Sequence, residues 1–126
     1  MEIGEGLEGL KPPVVIPPIT EYLDMELPKA VVNSLEGNVS LHLMWEPTDF
    51  DRERAPLAFK RAKSWGHLLC QDERVLRQLA AQLGVKRVMI HGKGLPKQHV
   101  DLCGEPLRRA RTMCNNAAMP PEGNDV

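Results

Sequence analysis

The chain has 126 residues, 42% of them hydrophobic and 26% charged, with a formal net charge of −1. That length suggests one domain, and the composition is that of a globular protein, neither collagenous nor broadly disordered. It holds no apolar run long enough for a membrane span, no cationic-then-apolar leader, and three cysteines, too few and too odd for a disulfide framework. A soluble, reduced, cytoplasmic protein is the expectation.

The small net charge conceals a split. Residues 1–54 hold eleven Asp+Glu against four Lys+Arg, or −7, and residues 55–126 hold twelve Lys+Arg against six Asp+Glu, or +6. The halves either neutralise each other in the fold or present separate charged faces to partners.

In chain order, residues 1–37 read as an acidic, proline-rich arm. Seven of the eleven prolines fall in residues 1–56. Lys11 to Ile19 cannot be helical, because proline fixes φ and pushes its predecessor to extended conformations. Val14, Val15, Ile16 and Ile19 then need cover, from this domain or from a partner. Leu27 to Leu35 is weakly helical, with Pro28 in its first turn and Gly37 as its stop.

An α/β domain is expected over 38–116. Val39 to Trp45 alternates like a strand. Thr48 to Pro56 reads as a charged loop and Leu57 to Lys63 as a short helix. Asp72 to Leu83 is the best helix: Asp72 caps it, Val75, Leu76, Leu79, Ala80 and Leu83 form one apolar face, and Gly84 stops it. Lys86 to His91 reads as a strand and Gly92 to Pro96 as a glycine loop. His99 to Cys103 is extended, and a second helix starts near Glu105. The predicted fold is therefore a small strand–helix–strand–helix α/β domain with at least one parallel strand pair. Its core includes Val39, Leu41, Leu43, Val75, Leu76, Leu79, Leu83, Val88, Ile90, Leu102, Leu107 and Ala110. Residues 117–126 read as a disordered tail.

Residues 66–111 carry a further pattern: Gly66-His-Leu-Leu-Cys-Gln-Asp72, Leu83-Gly-Val-Lys-Arg87, His99-Val-Asp-Leu102 and Arg108-Arg-Ala110. The run resembles a small, uncharacterised bacterial and phage-borne domain family. It departs at Val100, where that family usually has an aromatic residue, and in the long arm. The resemblance implies a compact α/β unit and a polar cluster, and it names no reaction.

The candidate ligand-binding residues are His67, Arg87, His91, Lys93, His99, Asp101 and Arg109. His99 and Asp101 stand two apart, so an extended backbone puts both on one side. Such a pair can hold a ligand or orient a base, and His91, His99, Asp101 and Cys103 could in principle ligate zinc, although no metal signature is met. No metal or cofactor is therefore assigned. The glycine loop with Lys93 and Lys97 could approach an anion, but it lacks Walker spacing. Cys103 to Arg109 superficially resembles a phosphate-cradling loop, which Glu105 and Pro106 would spoil. Lys86 to Arg111 carries a net +5 without an aromatic residue, so base stacking finds no platform there.

The expected function is binding of a phosphate-bearing ligand, nucleotide or nucleic acid, with or without catalysis. The alternative is a phage- or bacterium-encoded accessory protein. It would bind a host or partner protein through its charged halves and arm, with Trp45 and Trp65 as candidate anchors. No membrane partner is expected.

Overall fold

A computed structural model describes residues 14–44 and 46–115. The first thirteen residues of the arm, Trp45 and the tail from residue 116 lie outside the described residues. Four strands form one mixed sheet in the order β1 (Ile19–Tyr22), β2 (Val39–Met44), β3 (Trp65–Leu69), β4 (His99–Leu102). Among the described residues five α-helices accompany them, α1 (Leu27–Leu35), α2 (Asp49–Glu53), α3 (Leu57–Arg61), α4 (Glu73–Gln82) and α5 (Gly104–Met113), with a 3-10 turn at Asp24–Glu26 leading into α1. The fold is α/β, with a parallel pair.

That pair is β1 with β2, joined through α1, whereas β2–β3 and β3–β4 are antiparallel. The expected strand Lys86–His91 does not form. Its half-buried Val88 and Ile90 imitate alternation, but the segment meets the sheet only at His91, which exchanges both backbone hydrogen bonds with His99 at 2.8 and 3.0 Å. The glycine loop then turns the chain back, with Gly92 and Gly94 at φ 63° and 81°. The expected charged loop also departs from expectation. Thr48 and Asp51 form a reciprocal capping box that opens the short helix α2.

Period two sorts the strand residues onto two faces. Ile19, Val39, Leu41, Leu43, Leu68, Val100 and Leu102 share one face and are all buried. Helix α4 brings Val75, Leu76 and Leu79 to this core, and α5 brings Leu107 and Ala110. Asp72 caps α4 by accepting from the amides of Arg74 and Val75, and Gly84 leaves the helix at φ 97°. Gly66 lets α5 approach, because a Cβ there would stand 2.6 Å from Leu107 Cδ1.

Glu21 falls on the same buried face and receives Arg111 of α5 through two bonds of 2.7 and 3.1 Å. This charge pair joins the acidic and basic halves of the chain. The arm packs back in part. Val14 and Ile16 lie against the core, whereas Val15 is 84% exposed. Asn115 donates to the Ile19 carbonyl at 3.0 Å, so Cys114 and Asn115 pair with the open edge of β1.

The second face is covered by α1 at the β1–β2 end only. There Ser40 Oγ donates to the Ala30 carbonyl at 2.7 Å and receives the Asn33 amide at 3.0 Å. Beyond α1, toward β3 and β4, this face carries histidines. No helix among the described residues is long and apolar enough to cross a membrane.

Candidate functional site

Strand register assembles the site. Tyr22 pairs with His42, His42 with His67, and His67 with Asp101, so one row crosses all four strands. His99 lies two residues before Asp101 on the same face, and the bridge to His99 brings His91 alongside. Three of the four histidines of the chain thus surround one carboxylate, and the fourth, His42, stands behind His67. Their rings touch in sequence: His42 on His67 at 5.4 Å between centroids, His67 on His99 at 4.9 Å, and His99 on His91 at 5.3 Å.

Asp101 is the focus. Its Oδ1 stands 3.1 Å from His99 Nε2 and 3.6 Å from His67 Nε2, and its Oδ2 stands 3.3 Å from His91 Nε2. Oδ1 is buried, and no hydrogen-bond donor is aligned with it. Two carbonyls hold the histidines from behind. His99 Nδ1 is 2.7 Å from the Lys97 oxygen, and His42 Nε2 is 2.9 Å from the Asp24 oxygen. His42 and His67 meet Nδ1 to Nδ1 at 3.2 Å.

Burial and contact with one another set the protonation of His67, His99 and Asp101. It pushes His67 down to about 4, against the pull of Asp101 and with help from the other three histidines, so His67 is neutral at physiological pH. Burial also disfavours charge on His99, but contact with Asp101 and the Lys97 carbonyl outweighs it and raises the ring above its ordinary value. For Asp101, burial favours the neutral acid, yet His99, His67 and His91 together hold the carboxyl below its ordinary value. Asp101 is ionised.

A cavity of about 790 Å³ opens beside the row. His67, His91 and Asp101 contribute to its lining; Met44, Phe59, Trp65 and Met89 supply apolar wall, and Asp51, Arg54 and Arg87 supply charge. Trp65 is held in place by its indole N–H, which donates to the Phe59 carbonyl at 2.7 Å, and by edge-to-face packing on Phe59. Arg54 lies over the Phe50 ring at 3.7 Å. Arg87 is exposed and makes no ion pair or hydrogen bond among the described residues.

Of the seven candidates, His67, His91, His99 and Asp101 meet in one cluster, and Arg87 stands on the adjoining wall. Lys93 and Arg109 do not line the cavity. Lys93 pairs with Glu73 at 3.3 Å, and Arg109 pairs with Glu105 at 3.5 Å. The glycine loop uses its amides internally: Gly94 donates to Gln98 Oε1 and Leu95 to the Gly92 carbonyl. Cys103 precedes α5, but burial, and then the charge of Asp101, push its thiol up, which removes thiolate character.

His42 is a member of the cluster that the sequence reading omits. Its signal was present, since period two puts it on the face opposite Leu41 and Leu43. The aromatic and arginine walls depend on α2 and α3 folding over β3, and no local pattern announced that.

Comparisons with known protein families, with characterised proteins and with solved structures find no match.

Proposed function

We propose that this protein binds a small phosphate-bearing molecule of nucleotide size in the cavity beside Asp101. The observation that carries the reading is Arg87, a cation without a partner among the described residues, on the wall of a largely apolar cavity that ends on a histidine–carboxylate cluster. A volume of about 790 Å³ lies within the range of small-molecule sites, about 300–1,000 Å³. Phe59 and Trp65 offer surface for a base, Arg87 a partner for phosphate, and Asp51 an acceptor for hydroxyl or amino groups. That limited volume, with no aromatic residue on the basic stretch outside it, favours a free nucleotide over a nucleic-acid strand.

The three free cysteines support a reducing, cytoplasmic setting. The resemblance of residues 66–111 to bacterial and phage-borne domains supports a bacterial or phage source.

Calorimetry with AMP, ADP, ATP and inorganic phosphate, in chelator, tests the reading. A nucleotide is expected to bind saturably, and Arg87→Ala to weaken it about tenfold or more, the worth of one charged hydrogen bond. Because Arg87 is exposed, the variant keeps its fold. The reading fails if no nucleotide binds, if Arg87→Ala binds equally well, or if only a DNA duplex binds with steep salt dependence.

A further inference from the structure

The hydrogen bonds behind the histidines determine where their lone pairs point. A carbonyl oxygen only accepts. His99 Nδ1 therefore carries the proton that reaches the Lys97 oxygen, and neutral His99 presents a bare Nε2. By the same rule His42 Nε2 carries the proton directed at the Asp24 oxygen, so His42 Nδ1 is bare. His67 Nδ1, 3.2 Å away, must then donate to it, which leaves His67 Nε2 bare as well. With His99 neutral, two imidazole lone pairs and a carboxylate oxygen thus converge, and the position between them can be filled by a proton on His99 or by a metal ion. Three electron-rich atoms in that arrangement call for a cation.

The distances match one. Ligand atoms at tetrahedral angles around zinc, with bonds near 2.0–2.1 Å, lie about 3.3 Å apart. His99 Nε2 to Asp101 Oδ1 is 3.1 Å, and His67 Nε2 to the same oxygen is 3.6 Å. The ligand atoms of His67, His99 and Asp101 all fall within 4.8 Å of one another. The buried Asp101 Oδ1 is a further sign, a desolvated acceptor with which no donor among the described residues is aligned, His99 Nε2 standing 3.1 Å away. Both ring nitrogens of each of these histidines then have a task. One faces the ion, and the other is held by an outer partner, as in metal sites generally.

We propose that His67, His99 and Asp101 form a binding site for a divalent transition-metal ion of the zinc class, oriented by His42 and by the carbonyls of Asp24 and Lys97. Three protein ligands leave a fourth position open, and because His67 and Asp101 line the cavity, that position faces it. His91, with its side chain 48% exposed and on the other carboxylate oxygen, stands beside the opening. The site is independent of the nucleotide reading, since it uses neither Arg87 nor the apolar walls.

The test uses the full chain, stripped with chelator and without nucleotide. Zn²⁺ is titrated by calorimetry and Co²⁺ by its visible absorption, with Mg²⁺ as a hard-ion control. One transition-metal ion per chain is expected, with an intense tetrahedral Co²⁺ spectrum and no Mg²⁺ competition. Asp101→Asn is nearly isosteric and should weaken Zn²⁺ at least 100-fold. His42→Asn, which touches no ligand position, should weaken it about 10–100-fold by releasing the His67 tautomer. Circular dichroism confirms that each variant is folded, and Arg87→Ala should bind Zn²⁺ as the unaltered chain does.

The proposal is overturned if neither Zn²⁺ nor Co²⁺ binds saturably, if Asp101→Asn binds as tightly as the unaltered chain, or if Mg²⁺ takes the site instead. It is also overturned if NMR of the chelator-treated protein finds His99 doubly protonated and unmoved by added Zn²⁺, because a proton then serves where the cation was placed.

Discussion

The two faces of the sheet are made by the same strands and serve opposite ends. On one face, Leu41, Leu68 and Val100 lie side by side across β2, β3 and β4 beneath α4 and α5. On the other, one residue along each strand, His42, His67 and Asp101 make the parallel row. The first face is continuous and fully covered. The second is covered by α1 only at the β1–β2 end, so its polar groups grade from buried at His42, 5% exposed, to half-exposed at His91. That gradient suits a site. The inner histidines are held rigidly, and the outer groups remain reachable.

If this division of labour is right, core-face substitutions should cost stability and histidine-face substitutions should cost binding. The largest loss is expected at Arg111→Ala. It leaves the Glu21 carboxylate buried without its bidentate partner, and breaking such a pair costs about 3–5 kcal/mol. Urea denaturation measures it, and a loss below about 1 kcal/mol would mean the pair is solvated. Next comes Gly66→Ala. The new Cβ would press on Leu107 and Leu41, both fully buried, at a cost of about 1–3 kcal/mol read by the same melts. Smaller again is Asp72→Ala. It removes the acceptor for the Arg74 and Val75 amides, for about 1 kcal/mol.

That third site is also where the sequence is most readable. The helix expected over Asp72–Leu83 spans Glu73–Gln82 with the foreseen cap and stop, because cap, apolar spacing and glycine all lie within the element itself. The same holds for α1, with Pro28 in its first turn and Gly37 beyond its end. Strand β3 gave no such signal. Trp65-Gly-His-Leu-Leu does not alternate, since four of its five residues are buried whichever face they take.

With β3 unread, the partners of β2 could not be assigned, and the parallel pair was expected through α4 instead of α1. The cluster was readable for a related reason. His99 and Asp101 announce a shared side by spacing alone, whereas His42 joins them only through two strand registers that no local rule supplies. Val88 and Ile90 show the converse failure. Their alternation was real, but they lie half-buried on an irregular segment that touches the sheet at one residue.

The smallest expected effect on stability sharpens the comparison most. His91 reaches the sheet face through its backbone bonds with His99, which a substitution leaves in place, and its half-exposed side chain contributes the 3.3 Å contact with Asp101 Oδ2 and stacking on the His99 ring. His91→Ala should therefore shift stability by no more than about 0.5 kcal/mol, as for other exposed positions. Its effect should appear in binding, as a change in nucleotide affinity with Zn²⁺ affinity altered less than in Asp101→Asn. Paired melts and titrations on one preparation separate the two readouts. If His91→Ala instead unfolds the protein as readily as Gly66→Ala, the histidine face carries structural weight, and the contrast between the faces fails. If it leaves stability alone and perturbs only binding, the outer end of the row is free to serve a ligand because the opposite face already holds the sheet together.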